Sequence, residues 1–597
     1  MPPRPSSRPE AGRASRVPAL LLLLGAALSA ADWLRPLSGT HSLVVAGALS
    51  LLVLPWAAVV LRDERLPATQ PALIDRGPRM FESLRGRMVF HGSLLLLLLG
   101  FIAAKWLLLL HASGDGAEFT GTSRSYTLAI LLVYAIGLFG RGVRGGRFIA
   151  LAADHPARLM ALSFGMTGLL GALLLSLPIS ALRMSGVSLV DNLFMAFSAV
   201  CVTGLSVTAV SHTYSPFGQA VLCVLMQLGG LGIMVLSASV LVLARRRMRV
   251  RSSAVLAQMV DVASLAGLRR TIASIVLYTL AIEAVGAAVL YVQLLQHDRD
   301  TLAGVDSVAW VAVFHAIAAF CNAGLSNLHD GLLPFKGDAG VAATLAVLIV
   351  LGGLGFPVLQ ELIGAGFDKL RRRRLRAFSL HTRVSLRTSA LLLAVMAIAY
   401  LALEWNASMH GYDLKQRITA AIFQSVSCRS GGLNLVEIGA MTQPMLVLTC
   451  AAMMIGASPG STGGGIKTTT FAVLFAGLRA ELSGRSPRLL DRAIPLLLIR
   501  KAMAVAFLSI AIVSGMLFLI LLLEPHEPLA LGFEVVSAFS TTGLSTGITP
   551  ELSVAGKLLI TVSMFIGRIG PLTLALAVSL PAQQRAVELP AERMMIG

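Results

Sequence analysis

At 597 residues, 56% of them hydrophobic and only 13% charged, with a positive mean hydropathy, the chain is too apolar for a soluble protein of its length and reads as a polytopic membrane protein. Its net charge of +19 would suit a nucleic-acid binder, but the basic clusters at 141–147, 245–251 and 369–376 each follow an apolar run. That placement is the positive-inside pattern: it points to anionic membrane lipid or a cytoplasmic partner as the electrostatic counterpart and argues against nucleic acid, since no folded basic domain accompanies the charge.

The opening stretch is rich in arginine and proline, and an apolar core at 20–30 follows it, resembling the core of a signal peptide. An uncleaved first span reaching Leu34 is the expected outcome. Further spans are predicted at 42–61, 88–110 and 126–140, the third span of the four carrying Lys105. Residues 1–157 thus form a four-span prefix, with arginines in the linkers 62–87 and 141–158 placing both on the cytoplasmic side together with the N-terminus.

From residue 158 one pattern recurs: a spanning helix, a shorter apolar segment ending at a glycine, and a second spanning helix. The predicted sets are 159–182, 191–206 and 216–244; 271–292, 308–326 and 339–359; 388–403, 418–434 and 441 onward; and 502–523, 532–547 and 554–580. They divide the chain into units at 158–267, 268–382, 383–497 and 498–597. With four spans ahead of them, every short segment falls outside, while Arg245, Arg371, Arg479 and the C-terminus fall inside.

The short segments share a signature. FMAFSAVCVTGLS begins at Phe194, FHAIAAFCNAGLS at Phe314, FQSVSCRSGGLN at Phe423 and FEVVSAFSTTGLS at Phe533, and their glycines are Gly204, Gly324, Gly432 and Gly543. A loop at this period, each copy between long apolar segments, predicts four pore-lining hairpins around one axis. A bare cation leaves water only where fixed oxygens replace its hydration shell, and converging backbone carbonyls supply them. Glycine permits the backbone geometry that aims them. One such glycine would read as a helix-ending turn; four equivalent copies point to a filter. The residues assigned to it are Val202, Thr203, Gly204 and Leu205; Asn322, Ala323, Gly324 and Leu325; Ser430, Gly431, Gly432 and Leu433; and Thr541, Thr542, Gly543 and Leu544.

Two other stretches carry chemistry. MIGASPGSTGGGIKTTT, from Met454, interrupts an apolar helix with Pro459 and five glycines, and a break at membrane depth is tolerated only where it lines a cavity or is buried in protein. It is not a phosphate-binding loop, because Ile466 separates the glycines from Lys467 and no strand precedes it. MFIGRIGPLT, from Met564, sets Arg568 inside the last helix, where an arginine costs about 2.5–3.5 kcal/mol and so faces the pathway or a buried partner.

These motifs resemble those of the Trk/Ktr/HKT potassium-transporter superfamily, its KtrB-like bacterial members above all, over residues 158–582. The resemblance implies an all-α integral membrane protein, not an enzyme, with four pseudo-symmetric helix–pore helix–helix repeats around a central pore, plus the four N-terminal transmembrane helices. It implies uptake of K+ across the cytoplasmic (inner) membrane. Gly204 implies potassium preference, as serine there accompanies sodium preference in the family. It further implies a homodimer and a separate cytosolic nucleotide-binding regulator of the KtrA/TrkA type, with no organic cofactor in this chain. Gly460, Ser461, Thr462, Gly463, Gly464 and Gly465 match the family's intramembrane gate loop. Arg568 matches the pore arginine, which either holds that loop or raises an electrostatic barrier.

The third unit departs from the pattern: Phe423 to Gly432 is one residue shorter, and Ser430-Gly431-Gly432 stands where the family that the chain resembles more usually has Thr-Ala-Gly, so sodium as a second ion and a sodium- or proton-coupled transporter of weaker selectivity stay open. Glu283 and Lys467 are candidate coupling or structural charges, and Arg429 and Glu534 a candidate salt bridge. The Gly-Gly-Leu-Gly runs at 229–232 and 352–355 predict tight helix packing. Cys201, Cys321 and Cys428 precede three filter glycines, but Ser540 holds the fourth position, which favours packing over a soft-metal ring.

Overall fold

The computed structural model describes residues 156–182, 187–232, 265–297, 307–329, 331–372, 377–571 and 573. The four-span prefix, the basic cluster at 245–251 and the C-terminal tail lie outside them. The described chain is predominantly helical. In order come α1 (Pro156–Leu175), α2 (Leu189–Val200), α3 (Pro216–Gly230), α4 (Leu265–Leu294), α5 (Val308–Phe320), α6 (Ala339–Leu354), α7 (Phe356–Leu370), α8 (Leu380–Leu403), α9 (Leu414–Ser427), α10 (Gln443–Met454), α11 (Thr468–Ser483), α12 (Leu496–Leu523), α13 (Pro528–Ser540) and α14 (Val554–Ile569). A two-stranded hairpin, β1 (Arg488–Leu489) with β2 (Arg492–Ala493), joins α11 to α12.

By length and composition, α4 over Ile272–Leu294, α8 and α12 can each cross a membrane, and α6 with α7 makes a fourth span if that bent pair counts as one. α12 turns Phe507, Ile510, Phe518 and Leu522 outward, an apolar surface suited to lipid rather than water. The second unit departs from expectation. The predicted continuous helix 339–359 breaks at Gly355, whose φ of +90° lies outside the helical region, and the chain turns by 110° into α7. Pro357 at the start of α7 reinforces the break, because it has no N–H to continue the α6 ladder.

Four short helices, α2, α5, α9 and α13, begin on local signals and end near one point. α2 and α9 carry capping boxes, Ser188 with Asp191 and Asp413 with Gln416; Ser307 caps α5 through the Trp310 N–H, and Pro528 starts α13. Their phenylalanines Phe194, Phe314, Phe423 and Phe533 are fully buried. Each sits in a core built from more than one unit: Phe194 and Phe314 share a cluster with Val535 and Met564, Phe423 packs with Phe320 and Leu345, and Phe533 with Met445 and Tyr400. α14 returns to pack on α2, and Lys557 on α14 donates to Asp191 Oδ1 at 2.8 Å, joining the last unit to the first.

Asp338, just before α6, accepts from the Gly340 N–H at 2.7 Å and the Val341 N–H at 3.1 Å and contacts His297 Nε2 at 2.7 Å. Burial by itself would raise this carboxyl, but the bonds from His297, Val341 and Gly340 prevail and hold it below the ordinary carboxylate value. A depressed carboxyl stabilises the fold above its unfolded pKa and loses that contribution as pH falls through the folded value, which places the loss below about pH 4. Asp338→Ala is expected to lower stability by about 1 kcal/mol at neutral pH through loss of the cap. Thermal unfolding in detergent should show parent and variant converging in acid.

Candidate functional site

The four short helices end alike. Two residues before each glycine the backbone enters the left-handed region, at Val202 (φ +58°), Asn322 (+59°), Ser430 (+69°) and Thr541 (+49°); the glycines follow at +97°, +66°, +72° and +90°. The residues between, Thr203, Ala323, Gly431 and Thr542, have negative φ. Alternation of sign turns successive carbonyls toward one side of the chain, the arrangement a cation-coordinating strand needs. Backbone bonds fix it: Thr203 N–H donates to Ser198 O, Ala323 to Ala318 O and Thr542 to Ser537 O, five residues back in each. In the shorter third copy Gly431 N–H takes Ser427 O, four residues back, so the deletion is absorbed in the helix end and Gly432 still falls in register.

The glycines close a ring. A Cβ on Gly204 would lie 2.6 Å from Ala323 O, on Gly324 2.7 Å from Gly432 Cα, and on Gly432 2.6 Å from Thr542 O; on Gly543 it would collide with Thr203 O and lie 2.9 Å from Gly204 Cα. The leucines after them are buried in the surrounding cores, and the carbonyls of Leu205 and Leu433 accept the Ser198 and Ser427 hydroxyls. Around the ring the buried hydroxyl oxygens of Thr203, Ser430, Thr541 and Thr542 have no hydrogen-bond partner among the described residues. A buried polar atom without a partner costs about 1–3 kcal/mol, so this cluster marks a place where water or a cation is expected.

Below the ring lies the interrupted helix. α10 stops at Met454 and α11 restarts at Thr468, with Ile455 paired to Ile466 across the base of the loop. The loop docks on the strip where α6 breaks: Ser458 N–H donates to Gly353 O at 3.0 Å, Thr462 N–H to Gly352 O at 3.3 Å, and Phe356 N–H to Gly460 O at 3.1 Å. Both Gly-Gly-Leu-Gly runs pack tightly as expected, Gly229 against Val200 O and Gly352 against Phe320 O, and the 352–355 run serves in addition as a cradle for this loop. Gly463 faces the Ser430 side chain, Gly464 faces Thr541, and Thr462 Oγ1 reaches Phe320 O at 3.4 Å, so the loop touches the ends of three of the four short helices. Lys467 Nζ donates to Gly463 O at 2.6 Å, bracing the loop from within, and Ser461 is half-buried.

Arg568 supplies the fourth connection. Its guanidinium, buried in α14, donates through Nη1 to Thr462 O and through Nη2 to Gly229 O, joining the loop to the first unit. The expected Arg429–Glu534 bridge does not form. Arg429 donates to Ser389 O, Ser389 Oγ and Gly456 O, each at 3.3 Å, while Glu534 accepts from Ser545 Oγ, Thr546 N–H and Thr549 Oγ1. Glu534 is consumed by donors of its own loop, and Arg429 by Ser389 on α8 and by Gly456 just past the end of α10. Glu283 is buried against Cys321 Sγ at 3.6 Å, beneath the cap of α5. Cys201, Cys223, Cys321 and Cys428 are buried free thiols, and among the described residues no group of three or more His, Cys, Asp or Glu gathers as a metal cluster.

Residues 161–588 match the family model TrkH, described as a cation transport protein. The chain is 35% identical over 421 residues to the Ktr system potassium uptake protein B of Bacillus subtilis (strain 168), covering 70% of this chain and 92% of that protein. It is 30% identical over 450 residues to the potassium/sodium uptake protein NtpJ of Enterococcus hirae, covering 74% and 97%. Its fold is similar to the crystal structure of the potassium transporter TrkH from Vibrio parahaemolyticus, with a TM-score of 0.57 at 17% identity over 82% of this chain and 97% of that one. The chain belongs to the TrkH family of cation transport proteins, membrane transporters and not enzymes.

Proposed function

We propose that this chain takes up potassium across the cytoplasmic membrane, through four pseudo-symmetric repeats that surround one pore. The repeats occupy 158–267, 268–382, 383–497 and 498–597. The observation that carries the reading is the closed ring of Gly204, Gly324, Gly432 and Gly543, with alternating backbone handedness in every quadrant and unpartnered hydroxyls beside it among the described residues. Carbonyls around Thr203, Ala323, Gly431 and Thr542 replace the hydration shell of the ion, and the C-terminal ends of α2, α5, α9 and α13 add negative potential toward it. The loop 455–467 closes the path beneath the ring, and Arg568 holds it. Glu283 and Lys467 serve as structural charges.

The chain works as a homodimer with both termini in the cytoplasm, under a cytosolic nucleotide-binding subunit of the KtrA/TrkA type. The likeness to Ktr and Trk proteins supports this assembly. Sodium as a second cargo is favoured by one departure, the Ser430-Gly431-Gly432 quadrant, and by similarity to a relative named for potassium and sodium.

Rubidium uptake into potassium-starved cells that lack their own uptake systems tests the reading. Expression of the chain with its partner should restore uptake, and external potassium should suppress it more strongly than equal sodium. Correctly inserted protein that leaves rubidium uptake at background would sink the proposal.

A further inference from the structure

Beyond the ring, the loops of the first two units meet at a pair of histidines. His212 lies in a one-turn helix, Val210–Thr213, eight residues after Gly204, and His329 follows Gly324 by five. Their side chains are exposed, with His212 Nε2 2.7 Å from His329 Nδ1, ring centroids 4.4 Å apart and planes inclined by 81°. Two imidazoles from distant parts of a chain meet nitrogen to nitrogen only if one carries a proton that the other accepts. A metal ion replaces that proton with two lone-pair bonds.

We propose that His212 and His329 form an external binding site for a divalent transition-metal cation, zinc(II) in the first instance, and that its occupation slows ion uptake. Nitrogens bound tetrahedrally to zinc at about 2.0–2.1 Å lie roughly 3.3 Å apart, so the pair admits the ion by opening about 0.6 Å and tilting each ring until its lone pair points at the metal. The rings stand on braced loops. Thr213 O accepts the Leu182 N–H at 3.0 Å, and Tyr214 Oη donates to Asn192 Oδ1 at 2.8 Å beneath His212. On the other side, the Leu328 N–H donates to Ser326 Oγ at 3.1 Å and Asn327 Nδ2 to Gln219 Oε1 at 3.3 Å. The loops that carry the two rings are thus braced before the ion arrives, which confines the ordering cost of binding to the side chains.

With two protein ligands and water completing the shell, the site is exchangeable rather than structural. Imidazole nitrogen suits zinc, copper and nickel, whereas magnesium and calcium prefer oxygen, so alkaline-earth ions should not compete. Occupation would tie the loop after Gly204 to the loop after Gly324 and set a divalent charge over two filter quadrants. That effect on uptake rests on the pore reading above; metal binding by the histidine pair does not.

Two measurements keep these apart. Equilibrium zinc binding to the purified full-length protein should show one site per chain that His212→Ala and His329→Gln each remove. In rubidium uptake, both variants should keep zinc-free transport and need about tenfold more external zinc for half-inhibition, with the double variant no more resistant than either single. Unchanged zinc binding in both single variants would overturn the site. Loss of binding with unchanged zinc sensitivity of uptake would overturn the regulatory role and leave the site standing.

Discussion

Gly543→Ala is expected to abolish selective uptake: rubidium transport should fall to near background, and the preference for potassium over sodium should drop at least about tenfold. The glycine has a φ of +90°, where a residue with a Cβ loses roughly 1–2 kcal/mol, and its added methyl would run into Thr203 O and the Gly204 Cα, which are backbone atoms that cannot rotate away. Overpacking of this kind adds roughly 1–3 kcal/mol, and each 1.4 kcal/mol is tenfold in any equilibrium that the filter must satisfy. Gly204→Ser and Gly432→Ser should act in the same direction, since a Cβ at either would stand 2.6 Å from a carbonyl oxygen of the next quadrant. Gly411→Ala and Gly484→Ala separate the two causes. Both positions have positive φ, +80° and +62°, but a Cβ there meets nothing within 4 Å, so they should lose a little stability and no selectivity. Ion-flux ratios for the five proteins decide the matter; a parental potassium-over-sodium ratio in Gly543→Ala would remove the ring from the filter.

The glycines were legible because a conformational requirement leaves a residue-type mark: four positions that need positive φ and close backbone approach are four glycines at a regular spacing. The left-handed residues two positions earlier left no such mark. Val202, Asn322, Ser430 and Thr541 share a backbone conformation and nothing in their side chains, and Val202 is β-branched where the left-handed region is least favourable. Only the turn around them fixes it. The same division explains the paired charges. Arg429 and Glu534 pair by sign in neighbouring units, yet Arg429 donates to uncharged oxygens of Ser389 and Gly456 and Glu534 accepts from donors of its own loop, a choice set by backbone and hydroxyl groups that a charge pattern does not display. The Gly-Gly-Leu-Gly at 352–355 shows its tight packing in the sequence, Gly352 lying against Phe320 O, but not its second use. Gly355 breaks α6 and the carbonyls of Gly352 and Gly353 receive a loop that is about a hundred residues further along the chain.

That loop supplies the second large effect. Arg568→Gln is expected to raise rubidium flux about tenfold or more when the chain is expressed without the proposed regulatory subunit. The guanidinium joins Thr462 O to Gly229 O through two separate nitrogens, and hydrogen bonds from a charged donor are worth roughly 1.5–3 kcal/mol each. The loop has other anchors, on Gly352, Gly353 and Phe356, but those lie on the second unit, whereas Arg568 ties it to the first. Losing this tether should therefore free one side of the loop without unfolding it. Arg568→Lys distinguishes tether from barrier. A lysine keeps the positive charge but presents one ammonium in place of a rigid fork, so it cannot hold both carbonyls in the same geometry. If holding the loop is the function, the lysine variant should leak as the glutamine variant does. A lysine variant as closed as the parent, beside a leaking glutamine variant, would instead assign Arg568 to an electrostatic barrier, and unchanged flux in both would take the residue out of gating altogether.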